Sequence, residues 1–247
     1  MDKLIFTAMT GAKHVQQRQD TLAQNIAHVF TGGYRAATYA ASSMPVPGAG
    51  AATRTFALES TTGADLTPGP VQSTGRKLDV AVDGNAWLTV QGRDGREAYT
   101  RSGALQVSEN GALMAPGGYP VMGDGGPLVI PPDSNISIAR DGTISAVPAT
   151  GAQTAVVNVG KIKLVTLEPA TARRGDDGLF RTVDGNDAPT DARASLVSGA
   201  LEGSNVNPAQ AMVGMINVSR HFELQMRLIS TAETNARAAS QLLSLNN

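Results

Sequence analysis

Apolar positions near the two ends of the chain recur at alternating three- and four-residue steps, and between the ends they fall into short runs. Met212, Met215, Ser219, Phe222, Met226, Ile229, Glu233, Ala236, Ser240 and Leu243 trace one such seam, with three polar positions in it. The spacing is that of a helix with a coiled-coil-like stripe. Asn207 stands where it can cap that helix, Pro208 suits its first turn, and Gln210 completes a capping-box-like arrangement. No proline follows, so the predicted helix runs on to the C-terminal end, about 55 Å at 1.5 Å per residue. Near the N-terminus, Ile5, Ala8, Ala12, Val15, Gln19, Leu22, Ile26 and Val29 repeat the pattern, and Thr31-Gly32-Gly33 supplies a stop. The two stripes can cover one another. Each can equally be an ordinary amphipathic helix laid on a core.

Residues 36–72 break the helical pattern with Pro45, Pro47, Pro68 and Pro70 among small residues, and predict an extended or flexible arm. A short strand or hairpin over 53–60 is expected inside it, with Thr55, Phe56 and Leu58 on one surface. From Leu78 onward, apolar runs alternate with Asp83-Gly84, Asp94-Gly95, Asn110-Gly111, Asp124-Gly125 and Asp141-Gly142, and later with Asp177-Gly178 and Asp184-Gly185. Such pairs supply the positive φ of tight turns. Strands are predicted at 78–82, 86–91, 97–100, 112–114, 121–122, 128–130, 136–138, 143–146, 156–167 and 194–197. The predicted fold is mainly β with long α-helical termini, the N- and C-terminal helices paired in a coiled-coil-like manner and carrying an all-β outer domain. Its boundaries are an N-terminal helix in 1–33, an arm in 34–75, a β domain in 76–204 and a C-terminal helix in 205–247.

Composition narrows the function. The 247 residues are 41% hydrophobic but only 4% aromatic, with 27 glycines and 13 prolines, which favours a turn-rich β core of aliphatic side chains. Length alone allows one large or two ordinary domains. A formal net charge of −1 gives no global attraction to nucleic acid or to an anionic membrane. Arg76-Lys77 and Arg173-Arg174 are small basic pairs not interleaved with aromatics for stacking on bases, and a solvated rim or subunit-contact charge is expected of them. Cysteine is absent, which excludes disulfides, thiolate metal sites and a thiol nucleophile. The first residues show neither the long apolar core nor the cleavage pattern of a secretory signal, and no stretch reaches membrane-spanning length.

Little points to chemistry. His14, His28 and His221 all fall within the predicted terminal helices, at no metal-ligand spacing. Gly123-Asp124-Gly125-Gly126 lacks the lysine of a phosphate loop, and the Asp-Gly pairs lack the distal glutamate of a calcium loop, so hairpin turns explain them. No catalytic residue, cofactor or metal is expected.

Leu22-Ala23-Gln24-Asn25-Ile26-Ala27-His28-Val29-Phe30-Thr31-Gly32-Gly33-Tyr34-Arg35 resembles the N-terminal signature of bacterial flagellar rod and hook axial proteins. His28, Phe30 and Gly32 depart from it, standing where the signature has Asn, Ser and Pro. Gly199-Ala200-Leu201-Glu202-Gly203-Ser204-Asn205-Val206-Asn207-Pro208, with Met212-Val213 and Arg220-His221-Phe222-Glu223, resembles the same family's C-terminal signature. Trp87-Leu88-Thr89-Val90, Tyr99-Thr100-Arg101-Ser102-Gly103 and Gly118-Tyr119-Pro120-Val121-Met122-Gly123 extend the likeness through the middle. Chain length and the run Phe222-Glu223-Leu224-Gln225-Met226 are most similar to proximal-rod members.

The resemblance implies a structural subunit that polymerises with copies of itself and with other rod and hook axial proteins into a torque-transmitting shaft in the periplasm. It also implies passage through the flagellar export apparatus without signal cleavage, with no nucleic acid and no membrane insertion. The assembly interface it implies comprises Ile5, Ala8, Ala12, Val15, Leu22, Asn25, Ile26 and Val29 from the first helix. Leu201, Glu202, Ser204, Asn205 and Val206 belong to it before the second helix, and Met212, Met215, Phe222, Met226, Ile229 and Leu243 along it. A distal-rod or hook subunit is the alternative within the family. An enzyme built on the β region and an adhesin on a helical stalk are the competing classes.

Overall fold

The structure is a computed structural model that describes residues 2–45, 55–148 and 156–244. It contains two helices, α1 (Asp2–Ala27) and α2 (Pro208–Ser244), and the remaining described elements are strands. The chain divides into two compact units, one of Met1–Ala27, Ala37–Gly63 and Asn207–Asn247, the other of His28–Ala36 and Ala64–Val206.

In the first unit the start of α2 forms as its sequence dictates. The Asn207 side-chain oxygen accepts the Gln210 amide at 3.1 Å, which satisfies one of the free N–H groups of the first turn. α1 and α2 run antiparallel, since Gly11 lies against the Gln225 side chain and Gly214 against Leu22. A β-carbon at either glycine would come within 3.2–3.3 Å of the facing side chain, so these two positions let the helices approach closely. The strands Ala37–Pro45 and Thr55–Ala64, both in the region expected to be an arm, pair into a two-stranded sheet, and the first of them packs on α1. His14 bonds the Tyr39 hydroxyl at 2.7 Å, and Asn25 exchanges two hydrogen bonds with the Ala37 backbone.

The expected fold class of long, coiled-coil-like helical termini is corrected here. Among the described residues helix is confined to two elements, about a quarter of the chain, and α1 packs against a strand as well as against α2. The stripe on α2 also differs from the heptad reading. The less exposed positions are Ala211, Gly214, Met215, Val218, Ser219, Phe222, Gln225, Ile229 and Ala232, so of the seven expected positions whose side chains are described Met215, Ser219, Phe222 and Ile229 lie in the stripe and Met212, Met226 and Glu233 do not. Met212 and Met226 are about half exposed, and Glu233 is exposed and paired with Arg237 along the helix. The cause is steric: Gly11 receives the Gln225 side chain and Gly214 receives Leu22, which sets the face that α2 turns to α1. The side chains of Ile5 and Leu243 lie outside the described residues, as do residues 46–54 of the expected arm.

In the second unit, five strands pair antiparallel in the order Leu164–Thr166, Ala86–Gln91, Glu97–Thr100, Phe180–Thr182, Ala172–Arg174. A meander of Ser134–Ile138, Thr143–Pro148 and Val157–Lys161 and a smaller one of Gln106–Val107, Leu113–Ala115 and Tyr119–Pro120 accompany it. Val80–Val82 pairs with Leu196–Ser198, and Val71–Ser73 with Ala200–Glu202. Alternation along Ala86–Gln91 sends Leu88 and Val90 into the main core, with Leu105, Leu113, Ile144, Ile162 and Leu196, and Trp87 into a second cluster with Tyr99, Val165 and Phe180. Gly84, Gly95, Gly111 and Gly142 all take positive φ after their Asp or Asn. The run 156–167 divides at Ile162, its two parts joining different sheets. Residues 128–130 make only an isolated bridge, flanked by prolines that carry no ladder donor.

Candidate assembly interface

Opposite its α1-facing stripe, α2 carries a second apolar line. Met212, Val213, Ile216, Leu224 and Leu228 are each a little over half exposed, with Arg220, Glu223 and Arg227 among them. The helix is thus covered on one side and leaves apolar side chains in solvent on the other. In the second unit Phe30 is 98% exposed on a tight turn. That turn is well braced: Thr31 donates its amide to the His28 carbonyl at 3.0 Å, the His28 ring stacks on Tyr34, and Arg174 lies over the Tyr34 and Phe180 rings.

The chemistry of the second unit is concentrated in a buried polar centre. Glu202 is 1% exposed. One carboxylate oxygen accepts Arg35 Nη2 at 2.7 Å and the Gly69 amide at 2.8 Å, and the other accepts Arg101 Nε at 2.7 Å. Arg101 also donates from its two Nη atoms to the carbonyls of Val82, Gly84 and Ala86. Both guanidiniums lie over the Trp87 ring, at 5.8 and 5.7 Å from its centroid. Two cations therefore share one carboxylate, and the indole face and the carbonyl dipoles carry the excess charge. Burial pushes the Arg35 pKa down, against the opposing pull of Glu202. Its Nε and Nη1 find no acceptor among the described residues.

Asn205 extends this centre. Its side-chain oxygen accepts the Ala36 amide at 2.7 Å, and its side-chain nitrogen donates to the carbonyls of Asp65 at 2.9 Å and Thr67 at 3.0 Å. Its own amide donates to Tyr34 at 3.3 Å, and the Gly33 amide donates to the Glu202 carbonyl at 2.8 Å.

The residues assigned to an assembly interface thus fall into different settings. Ala8, Asn25, Glu202 and Ser204 are buried. Ala12, Val15, Leu22, Ile26, Val29, Leu201, Asn205, Val206, Met215, Phe222 and Ile229 are partly covered, while Met212 and Met226 are exposed. Arg35 and Arg101 entered the sequence reading only as letters in motifs. Their signal was an arginine beside aromatic and apolar residues in stretches that otherwise fill a core. Of the basic pair at 173–174, expected as a solvated rim or subunit-contact charge, Arg174 lies over the Tyr34 and Phe180 rings.

A groove of about 670 Å³ lies between residues 107–111 and 129–136 and brings Glu109 and Asp133 together with Val107, Val129 and Ile136. No group of metal-ligating side chains occurs among the described residues, and none of their helices is long and apolar enough to cross a membrane.

Comparison with known proteins adds an independent line. Residues 197–242 match the family described as "Flagellar basal body rod FlgEFG protein C-terminal", and residues 81–146 match "Flagellar hook protein FlgE/F/G D1 domain". The flagellar basal-body rod protein FlgF of Salmonella typhimurium is 44% identical over 252 residues, covering all of both chains. FlgF of Escherichia coli is 43% identical over the same span. FlgG of Buchnera aphidicola subsp. Acyrthosiphon pisum is 28% identical, over 96% of this chain and 98% of its own length.

Proposed function

The chain belongs to the family of flagellar basal-body rod proteins, and from that premise we propose that it joins the rod through the uncovered apolar side of α2. It is a structural subunit of the flagellar basal body that assembles with other axial proteins. We place it in the proximal rod, in keeping with its full-length likeness to two FlgF proteins. Its partners are copies of itself and its rod and hook relatives, and torque passes through packed helices and needs no turnover of substrate. It reaches the periplasmic rod through the flagellar export apparatus. The absence of cysteine from all 247 residues suits a chain that crosses unfolded and then works under oxidising conditions.

The observation that carries this reading is the row Met212, Val213, Ile216, Leu224 and Leu228, exposed on a helix whose other side is already packed. Val213 and Ile216 lie on the solvent side of α2, so with both replaced by Glu the monomer should keep its melting temperature within a few degrees, surface changes being worth about ±0.5 kcal/mol each. Isolated basal bodies from cells carrying the double variant should lack the protein, and swimming should be lost. Normal incorporation of the variant would overturn the proposal.

A further inference from the structure

The chain passes between its two compact units four times, at 27/28, 36/37, 63/64 and 206/207. On the side of the second unit, segments next to all four passages meet at Glu202 and Asn205. Residues 33–36, between the first and second passages, are held by Glu202, whose carbonyl takes the Gly33 amide and whose carboxylate takes Arg35, and by Asn205, which takes the Ala36 amide. Residues 65–69, after the third, are held by the Asn205 side-chain nitrogen at Asp65 and Thr67 and by the Glu202 carboxylate at Gly69. The second and third passages are also joined directly, Asp65 donating its amide to Ala36 at 2.8 Å. The fourth passage follows Asn205 itself.

We propose that Glu202 and Asn205 form a clasp that keeps these segments ordered as one collar of the β-rich unit in the unassembled chain, whether or not the terminal helices are folded. Both side chains are suited to the task. A carboxylate has enough lone pairs for two arginines and an amide at once, and a carboxamide both accepts and donates, which the three carbonyl and amide partners of Asn205 require. The clasp lies deep in the second unit, with Glu202 at 1% exposure and anchored through Arg101 to the turn that precedes Ala86–Gln91. Its use rests on the reading of the chain as an assembling subunit: helices that order when subunits stack then start from a frame that is already built. Its existence does not, because it is a property of the free chain.

The test is hydrogen exchange on the full-length monomer, read at Gly33, Ala36, Asp65, Gly69 and Asn205 in the collar, at Val90 and Ala98 in the five-stranded sheet, and along α1 and α2. In the unaltered chain the collar amides should exchange within about ten-fold of the sheet amides, as part of the same cooperative unit, and the helix amides faster. Asn205→Asp keeps the acceptor and replaces the nitrogen that carries both donors by one oxygen, which faces the two carbonyls. It should speed collar exchange by about ten-fold or more and leave the sheet amides unchanged. Collar amides that exchange as fast as the helices in the unaltered chain, or that do not respond to Asn205→Asp, overturn the clasp. So does acceleration of collar and sheet together, which would mean that Asn205 only supports the whole fold. Because no rod partner is present, none of these outcomes depends on where the chain assembles.

Discussion

Glu202→Gln changes one oxygen for one nitrogen in the most charge-dense part of the interior. In the unaltered chain the carboxylate accepts Arg35 and Gly69 on one oxygen and Arg101 on the other, with the glutamate and both arginines 1–2% exposed. Glutamine can satisfy one side, but its amide hydrogens then face the donors on the other, and two buried cations lose their counter-charge. Breaking a buried ion pair by removing one partner costs about 3–5 kcal/mol. For a chain of this size that corresponds to a melting temperature lower by roughly 6–20 °C. Trp87 is the sole tryptophan and lies beneath both guanidiniums, so its fluorescence reports the site itself during urea or thermal unfolding. The loss should be nearly the same in low and high salt, because a dry pair is poorly screened; the exposed Arg237–Glu233 pair on α2 should show no measurable contribution in high salt. A Glu202→Gln protein that unfolds within about 1 kcal/mol of the unaltered chain would refute the reasoning, since the arginines would then be finding counter-charge elsewhere.

Two further outcomes follow from the same unit. Gly33 has φ of 70° and a β-carbon there would lie 2.4 Å from the Arg101 carbonyl carbon, so Gly33→Ala should cost about 2–5 kcal/mol from left-handed strain and overpacking together. Gly84→Ala, with φ of 58° and nothing within 4 Å, should cost only about 1–2 kcal/mol in the same denaturation assay. Asp177 is held below its ordinary pKa first by the Arg181 guanidinium, which donates to both carboxylate oxygens, against a smaller upward push from burial. A carboxyl depressed in the folded state adds stability that is complete above its unfolded pKa and is lost as pH falls through the folded one. The stability difference between the unaltered chain and Asp177→Asn should therefore be flat near neutral pH and shrink only in acid, which titration of the urea midpoint against pH checks.

Local chemistry was the legible part of this chain. The Asn207 cap, the Asp-Gly turns and the strands Ala86–Gln91 and Glu97–Thr100 are set by neighbouring residues, and a pattern along the chain reports them. The register of the helix pair was only half legible, because methionine and alanine read alike as apolar letters. What decides between them is the close approach at Gly11 and Gly214, and that depends on two helices at once. The polar centre was not legible at all. Glu202 is 167 residues from Arg35 and 101 from Arg101, and nothing in the run Leu201-Glu202-Gly203-Ser204-Asn205 tells an exposed carboxylate from one that anchors a core. Family likeness marked these residues as important, and only the fold says that their first partners lie within their own chain.

Polarity is thus partly inverted: charge is concentrated inside the β-rich unit, and a row of apolar side chains is left on α2. The size of that row sets how strongly two free chains can hold each other. Met212, Val213, Ile216, Leu224 and Leu228 are already about half covered, so burying the rest is worth roughly 1 kcal/mol each, or about 5 kcal/mol per helix face. Association costs at least about 4 kcal/mol in lost translational and rotational freedom. Two chains meeting face to face bury two such faces, about 10 kcal/mol in all, and even at the lowest cost the surplus of about 6 kcal/mol corresponds to a Kd on the order of only 40 μM. A subunit in a polymer meets several neighbours at once, and each added face escapes most of that cost. The free chain should accordingly sediment as a monomer at micromolar concentration and join only a growing end that offers more than one contact. A stable dimer at low micromolar concentration in sedimentation equilibrium would show that one face suffices, and the argument from its area would fail.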